Sequence, residues 1–371
     1  MNTSAETLTG ALARVRAADG GAEVRTTRLA QRKRAARLQL ALLAVVLAWA
    51  LVAGAVKVTF ADVVSSLGIL VGQEPTTTAA SVLAYVRLPR VLLAAVVGST
   101  LGLCGAALQG LFRNPLAEPS LLGMSAGAAT AVVSATVLGR SLAPALTAAL
   151  GAWLLPVAAF VGAMTAIVCV HRIAVDAGRT VVATMLLAGI GVNALAGAST
   201  GFLLTIADDA QLRSVTFWSL GSLAGASWHA LAVASPFLLF TAWRLPRLAV
   251  ALDAMTLGEV EAGHLGIDVE TVTRRLLVAV SLGTAAAVSV AGTVGFVGLA
   301  APHLVRLLFG SDHRFLLPSS MRIGAILLVA ADLGARTIAA PTEIPIGVLT
   351  AFGGAPLLLW LLRRDRSEEG Q

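Results

Sequence analysis

The chain has 371 residues, of which 57% are hydrophobic and 13% charged, and a mean hydropathy of +0.86, values that exclude an ordinary water-soluble domain. Its net charge of +7 would in a soluble protein raise nucleic acid as a partner, but the basic residues sit mostly beside apolar runs and point to a lipid bilayer instead. Unbroken Leu, Val and Ala runs exclude the alternating pattern of a barrel strand and leave helices to satisfy the backbone in hydrocarbon, with 36 glycines available where helices must approach closely.

From the N-terminus, residues before Arg25 are rich in Ala, Thr and Gly and read as disordered. Arg25, Arg28, Arg32, Lys33, Arg34 and Arg37 then precede the first apolar run. No cleavage site of small residues leads from it into a soluble domain, so it reads as a retained span. Apolar runs follow one another at 38–56, 91–111, 120–138, 147–170, 181–205, 229–250, 276–297, 298–309, 321–340 and 345–362. A crossing helix needs about 20 residues; the run at 298–309 is shorter, which leaves the number of spans at nine or ten. Arg363, Arg364 and Arg366 follow the last run. Basic flanks at both ends put both termini in the cytoplasm and favour the even number. The expected fold class is therefore all-α, a polytopic membrane protein of about ten transmembrane helices. Its expected domains are a basic tail at 1–37, a permease domain at 38–362 and a second cytoplasmic tail at 363–371.

The connections from His171 to Arg179 and from Arg244 to Arg275 carry arginines and read as inside loops, whereas Ala207 to Trp228 falls outside and has room for a short surface helix. In the longest inside loop Leu257, Val260 or Glu261, and Leu265 recur near helical spacing between two glycine breaks. The result is an apolar edge that either serves as a solvated connector or is gripped by a second protein.

The chemistry carried by the chain is sparse. A nucleotide pocket of the Gly-x-x-x-x-Gly-Lys-Ser/Thr type is absent, and the only lysines, Lys33 and Lys57, follow no glycine-rich loop. Any ATP that drives transport is hydrolysed by a separate subunit. A carrier driven by an ion gradient would keep an ionisable group in mid-membrane; Asp332 is a candidate, but Arg336 lies one turn on, and a structural pair is favoured over a proton relay. His171, His229, His264, His303 and His313 are scattered singly, without the i, i+4 partner of a metal site, and read as surface or end-capping residues. Cys104 and Cys169 lie in apolar runs and read as small buried hydrophobes. No nucleophile, acid or base arrangement can be argued from spacing, so the chain does not read as an enzyme. Arg87 and Arg90, flanking Leu88-Pro89, open the second span on the side opposite the cytoplasmic ends, against the positive-inside trend. Lipid phosphates or an acidic partner would both explain them.

Several segments together resemble the permease family of binding-protein-dependent ABC importers for iron-siderophores, haem and cobalamin, the transmembrane subunit of type II importers. They are Arg87-Leu88-Pro89-Arg90; Gly105-Ala106-Ala107-Leu108-Gln109-Gly110-Leu111-Phe112-Arg113-Asn114-Pro115-Leu116-Ala117-Glu118-Pro119; Leu187-Ala188-Gly189; Phe217-Trp218-Ser219-Leu220-Gly221-Ser222; Gly295-Phe296-Val297-Gly298-Leu299 with Pro302-His303; Asp312-His313-Arg314; and Glu343-Ile344-Pro345-Ile346-Gly347.

The resemblance implies a homodimer in a bacterial plasma membrane, two cytoplasmic ATPase subunits that hold the ATP and Mg, an extracytoplasmic substrate-binding protein, and no cofactor in this chain. It implies that Leu257, Gly258, Glu259, Ala262, Leu265 and Gly266 form the coupling helix to the ATPase. It assigns Arg87, Arg90 and Arg336 to docking of the binding protein, and Asn114 and Leu116 to the inner gate. The polar pair usual at the start of the fifth span is replaced here by Val182 and Ala183, with Thr184 next. The run from Asp208 to Ser219 leans toward haem permeases, ahead of ferric siderophore and cobalamin ones. A secondary transporter driven by an ion gradient is the alternative from another class.

Overall fold

The computed structural model describes residues 29–54, 56, 58–68, 72 and 74–369. The disorder expected before Arg25, most of the tail at 1–37, and Lys57 lie outside these residues. The chain separates into two compact units, Met1–Leu42 and Leu43–Gln371; every site discussed below belongs to the second.

In chain order the helices are α1 (Leu29–Val52), α2 (Phe60–Leu67), α3 (Thr78–Leu111), α4 (Met124–Leu142), α5 (Pro144–Ala174), α6 (Val182–Thr205) and α7 (Asp209–Ser219). There follow α8 (Trp228–Arg244), α9 (Ala249–Met255), α10 (Glu259–His264), α11 (Val269–Ala291), α12 (Val297–Phe309), α13 (His313–Thr337) and α14 (Ile346–Glu369). Six of them, α1, α3, α5, α6, α11 and α13, are long and apolar enough to cross a membrane. With α4, α8, α12 and α14 they correspond one for one to the ten apolar runs. A two-stranded hairpin, β1 (Val175–Asp176) with β2 (Arg179–Thr180), joins α5 to α6.

The helices start and stop at recognisable signals. The hydroxyl of Thr59 caps α2, that of Ser227 caps α8, and the carboxylates of Asp208, Asp268 and Asp312 cap α7, α11 and α13, each satisfying amides that a helix start leaves open. α7 is the short surface helix anticipated between Ala207 and Trp228. The outer helices reach beyond the apolar runs: among the described residues α1 is already helical at Leu29, before its run, and α14 continues to Glu369, past its run. Basic residues are good helix formers whose heads can reach the interface, so hydropathy marks the hydrocarbon segment and not the helix end.

α12, the short run at 298–309, is a helix in its own right. At 1.5 Å per residue it is about 20 Å long, short of a ~30 Å hydrocarbon core. Gly292 (φ +67°) and Phe296 (φ +65°) break the chain between α11 and α12.

α3 is the centre of the second unit. Its Gly98 and Gly102 face Gly324 and Ser320 of α13, and its Gly105 faces Gly298 of α12, so closely that a Cβ at any of the three would overlap a backbone oxygen of the neighbour. Gly127 of α4 and Gly162 of α5 meet in the same way. Lipid supplies no hydrophobic drive between helices, so this close backbone contact is what associates them. Around it Val91, Ala94 and Val97 of α3, Leu238 of α8, Ala286 of α11 and Leu328 of α13 form one buried cluster. Cys104 belongs to the buried face of α3, whereas Cys169 is exposed on α5. That second finding corrects the sequence reading, since an apolar run does not say which of its faces meets protein and which meets lipid.

An Ala replacing Gly in a helix normally gains up to about 1 kcal/mol. At Gly98 or Gly102 the sign is expected to reverse, with a loss of about 1–3 kcal/mol from overpacking. At Gly353 of α14, where a Cβ meets nothing, the ordinary gain is expected. Thermal unfolding of the three single variants in detergent checks the contrast.

Candidate functional site

Arg87 and Arg90 lie about three turns into α3, on either side of Leu88 and Pro89. Proline has no amide to donate and crowds the preceding turn, and the helix widens into a π-turn over Leu83–Arg87. In that register the Leu88 amide reaches the Leu83 carbonyl, and the next amide, which Pro89 lacks, would have served Ala84. The Ala84 carbonyl instead accepts from the Trp228 indole at 3.0 Å.

Arg87, only 5% exposed, donates to the carbonyls of Leu51, Val52 and Val56 at 3.1, 2.9 and 2.8 Å, closing the C-terminal end of α1. Arg90 donates through Nε to Asp332 Oδ1 at 2.8 Å and through both terminal nitrogens to Glu343 at 2.8 and 2.9 Å. Arg336 lies 3.1 Å from Asp332 Oδ2 and donates to the Ala50 carbonyl at 3.0 Å. The pair of Asp332 with Arg336 is thus present as the spacing predicted, and Arg90 joins it from another helix. All three arginines assigned to docking are engaged within the chain. Asp332 is buried and Glu343 is the half-exposed member of the cluster.

Nearby, Asp62 of α2 accepts from the hydroxyls of Thr59 and Thr77 at 2.6 and 2.5 Å. These bonds, that from Thr59 first, hold its carboxyl below the ordinary value. The tie between α2 and the start of α3 therefore weakens as pH falls through that lowered value.

From Arg90 to its end at Leu111, α3 climbs roughly 30 Å at 1.5 Å per residue, about the depth of the hydrocarbon core. At this second end Arg113 (φ +49°) pairs with Glu259 of α10 at 3.7 Å. The expected amphipathic helix is α10 and its flanks. Gly258 (φ +135°) opens it and Gly266 (φ +81°) closes it, backbone conformations that favour glycine. Leu257, Val260 and Leu265 are 67%, 68% and 63% exposed, while Ala262 is fully buried. The helix rests on Ala262 and, with its flanks, presents three apolar side chains outward. The same end gathers Thr180 of the hairpin, whose amide and hydroxyl both donate to Glu270 at 2.8 Å.

The Asn114 side chain accepts from the Leu116 amide at 2.9 Å and so shapes the turn that leaves α3. Leu116 is exposed and Thr184, in the first turn of α6, is half-buried. The 3-10 turn Pro119–Leu122 joins the two regions: Asn193 of α6 donates to Ser120 at 3.2 Å, and Gly189 abuts Leu121.

Three further segments, distant in sequence, interlock. The Ser222 amide donates to Ala291 at 2.9 Å, and those of Ile346 and Gly347 donate to Gly221 and Leu220 at 3.0 Å; the Thr293 hydroxyl donates to Ser219. Beside them Leu220, Phe296, Val348, Phe352 and Leu359 line an open apolar cavity of about 620 Å³. Phe296, a non-glycine residue at positive φ, is strained in a way that clusters at functional sites. Sequence reading noted its motif but not this conformation.

The FecCD transport family matches residues 42–364, and the chain belongs to it. The chain is 46% identical over 283 residues to the hemin transport system permease protein HmuU of Yersinia pestis, covering 76% of this chain and 83% of that one. It is 44% identical over 286 residues to the cobalamin import system permease protein BtuC of Halobacterium salinarum, covering 77% and 74%. A solved structure of a metal-chelate type ABC transporter in an inward-facing conformation superposes with a TM-score of 0.75 at 30% identity, covering 88% of this chain and 97% of that one. The protein is therefore a multi-pass membrane permease of a bacterial ABC importer. It is not the catalytic subunit and binds no cofactor of its own; its ATPase partner hydrolyses ATP, and a binding protein delivers the cargo.

Proposed function

We propose that this permease carries an iron complex into the cytoplasm, with haem ahead of ferric siderophore and cobalamin as the alternative cargo. The observation that carries the ATP-driven part is α10 with its flanks: Val260 on the helix and Leu257 and Leu265 beside it stand in solvent, while Ala262 is buried. Such a patch on a short helix is fitted to a cleft in a second protein, here the ATPase, with Leu257, Gly258, Glu259, Ala262, Leu265 and Gly266 as the coupling helix.

The end bearing Arg113, Arg179, Arg274 and Arg275 is the cytoplasmic one on the positive-inside rule, and both termini are cytoplasmic with it. The tails at 1–37 and 363–371 flank the permease domain. The Arg90 end then faces the binding protein. Arg87, Arg90 and Arg336 hold a fixed positive field there, and Glu343 occupies the Arg90 fork that a partner carboxylate would enter. Glu343→Gln is expected to tighten docking about threefold to tenfold by removing that competitor, a change of order 1 kcal/mol; looser docking in a binding titration would count against this site.

A homodimer is supported by the exposed apolar face of α6, with Leu187, Ile190, Leu195 and Phe202 beside Gly191, Gly197 and Gly201, where a Cβ meets nothing. Asn114, Leu116 and Thr184 form the inner gate. The 620 Å³ cavity fits a pathway without strong ligands, since a surface that holds its cargo tightly does not release it. The haem preference is supported by the likeness to the hemin permease and tested by uptake into proteoliposomes. Haemin is expected to enter with ATP and the ATPase present, and cyanocobalamin uptake in its place would reverse the order of substrates.

A further inference from the structure

At the cytoplasmic end one carboxylate does more than cap a helix. Asp253 lies on α9, directly before α10. Its Oδ1 accepts from the His313 amide at 2.9 Å and from His313 Nδ1 at 2.7 Å, so the first residue of α13 is held at two points. The His313 ring is 2% exposed. Its Nε2, with no hydrogen-bond partner among the described residues, lies against Gly110 of α3, where a Cβ would come within 2.5 Å of it. Gly110 is the last turn of α3, next to Gln109, which accepts from Arg306 of α12, and just ahead of Asn114 and Leu116. Arg113 in the same turn reaches Glu259 of α10.

We infer that Asp253 and His313 are positioning residues for transport. They form a strut that carries movement of the coupling helix into α13 and, through the ring seated on Gly110, into the gate turn after α3. Arg113 with Glu259 is a second strut to the same turn. The physical argument is stiffness. The exposed pair at 3.7 Å is a loose link, worth little at a surface. Asp253 with His313 joins a short helix to a 25-residue one by two hydrogen bonds to one oxygen, and the packed ring behind it leaves no room to yield. A push on α10 therefore moves α13 and the end of α3 together, as rigid-body transitions require.

The inference rests on the reading of α10 as the ATPase contact, and the test separates the two. The permease is purified with its ATPase and binding protein, reconstituted, and assayed for ATP hydrolysis and for uptake of haemin or cyanocobalamin, whichever the unmodified complex carries. Asp253→Ala is expected to keep the ATPase bound and hydrolysing within about twofold, while cargo moved per ATP falls about tenfold, the size of change that coupling residues produce. Asp253→Asn, which still accepts from His313, is expected to restore most of the loss. Gly110→Ala, which displaces the ring and leaves the carboxylate intact, is expected to lower cargo per ATP in the same direction and decides the matter if Asp253→Ala does not assemble. Unchanged cargo per ATP in Gly110→Ala and Asp253→Ala, or a proportional fall of hydrolysis and uptake, overturns the strut and leaves the importer reading intact. An unmodified permease that never binds the ATPase overturns both.

Discussion

Asp332→Leu is expected to destabilise the permease by about 3–5 kcal/mol, the cost of removing one partner from a buried ion cluster. The carboxylate is 1% exposed and stands between Arg90 at 2.8 Å and Arg336 at 3.1 Å. Without it two buried guanidiniums face each other, with Arg90 held by Glu343 and Arg336 by the Ala50 carbonyl. Thermal unfolding in detergent measures the loss. Replacing the whole buried group, as Arg90→Met, Asp332→Leu and Arg336→Met together, is expected to recover most of it, because apolar residues of similar volume often substitute for a buried triad at no cost. A loss below about 1 kcal/mol for Asp332→Leu alone would mean that the cluster is hydrated and not a structural centre.

The second large effect is on assembly. Leu257→Asp combined with Leu265→Asp is expected to weaken ATPase binding by about 2–4 kcal/mol, or roughly 30-fold to 1,000-fold, the range for interface anchors. Permease stability should change by less than about 0.5 kcal/mol, since both side chains are exposed and surface substitutions cost little. Co-purification and the unfolding midpoint report the two quantities separately. Full ATPase retention in the double variant would remove α10 from the contact.

How much of this was legible in the sequence depends on the range of the interaction. The ten apolar runs, the surface helix α7 and the exposed edge of α10 follow from hydropathy, helical period and glycine breaks, all read within a window of a few turns. The pair of Asp332 with Arg336 is also local, one turn apart. Arg90 as its third member was not legible, because the partners are 242 positions apart and no pattern along the chain links them. The same holds for Asp253 with His313, 60 positions apart: a lone histidine at a helix start reads as a surface residue until the fold brings a carboxylate to it. The two cysteines show the limit from the other side, since similar apolar surroundings in sequence ended in a buried Cys104 and an exposed Cys169.

The sequence by itself determined the medium and the class. Backbone groups cannot go unsatisfied in hydrocarbon, so long apolar runs become helices whatever surrounds them, and the motifs strung along them marked the family. The tertiary structure decided what Arg87, Arg90 and Arg336 are engaged with, where Phe296 is strained, and which glycines are irreplaceable. Those properties depend on what lies within a few ångströms in space, and helix packing in a membrane, driven by close contact and hydrogen bonds between distant segments, sets that distance only once the bundle has formed.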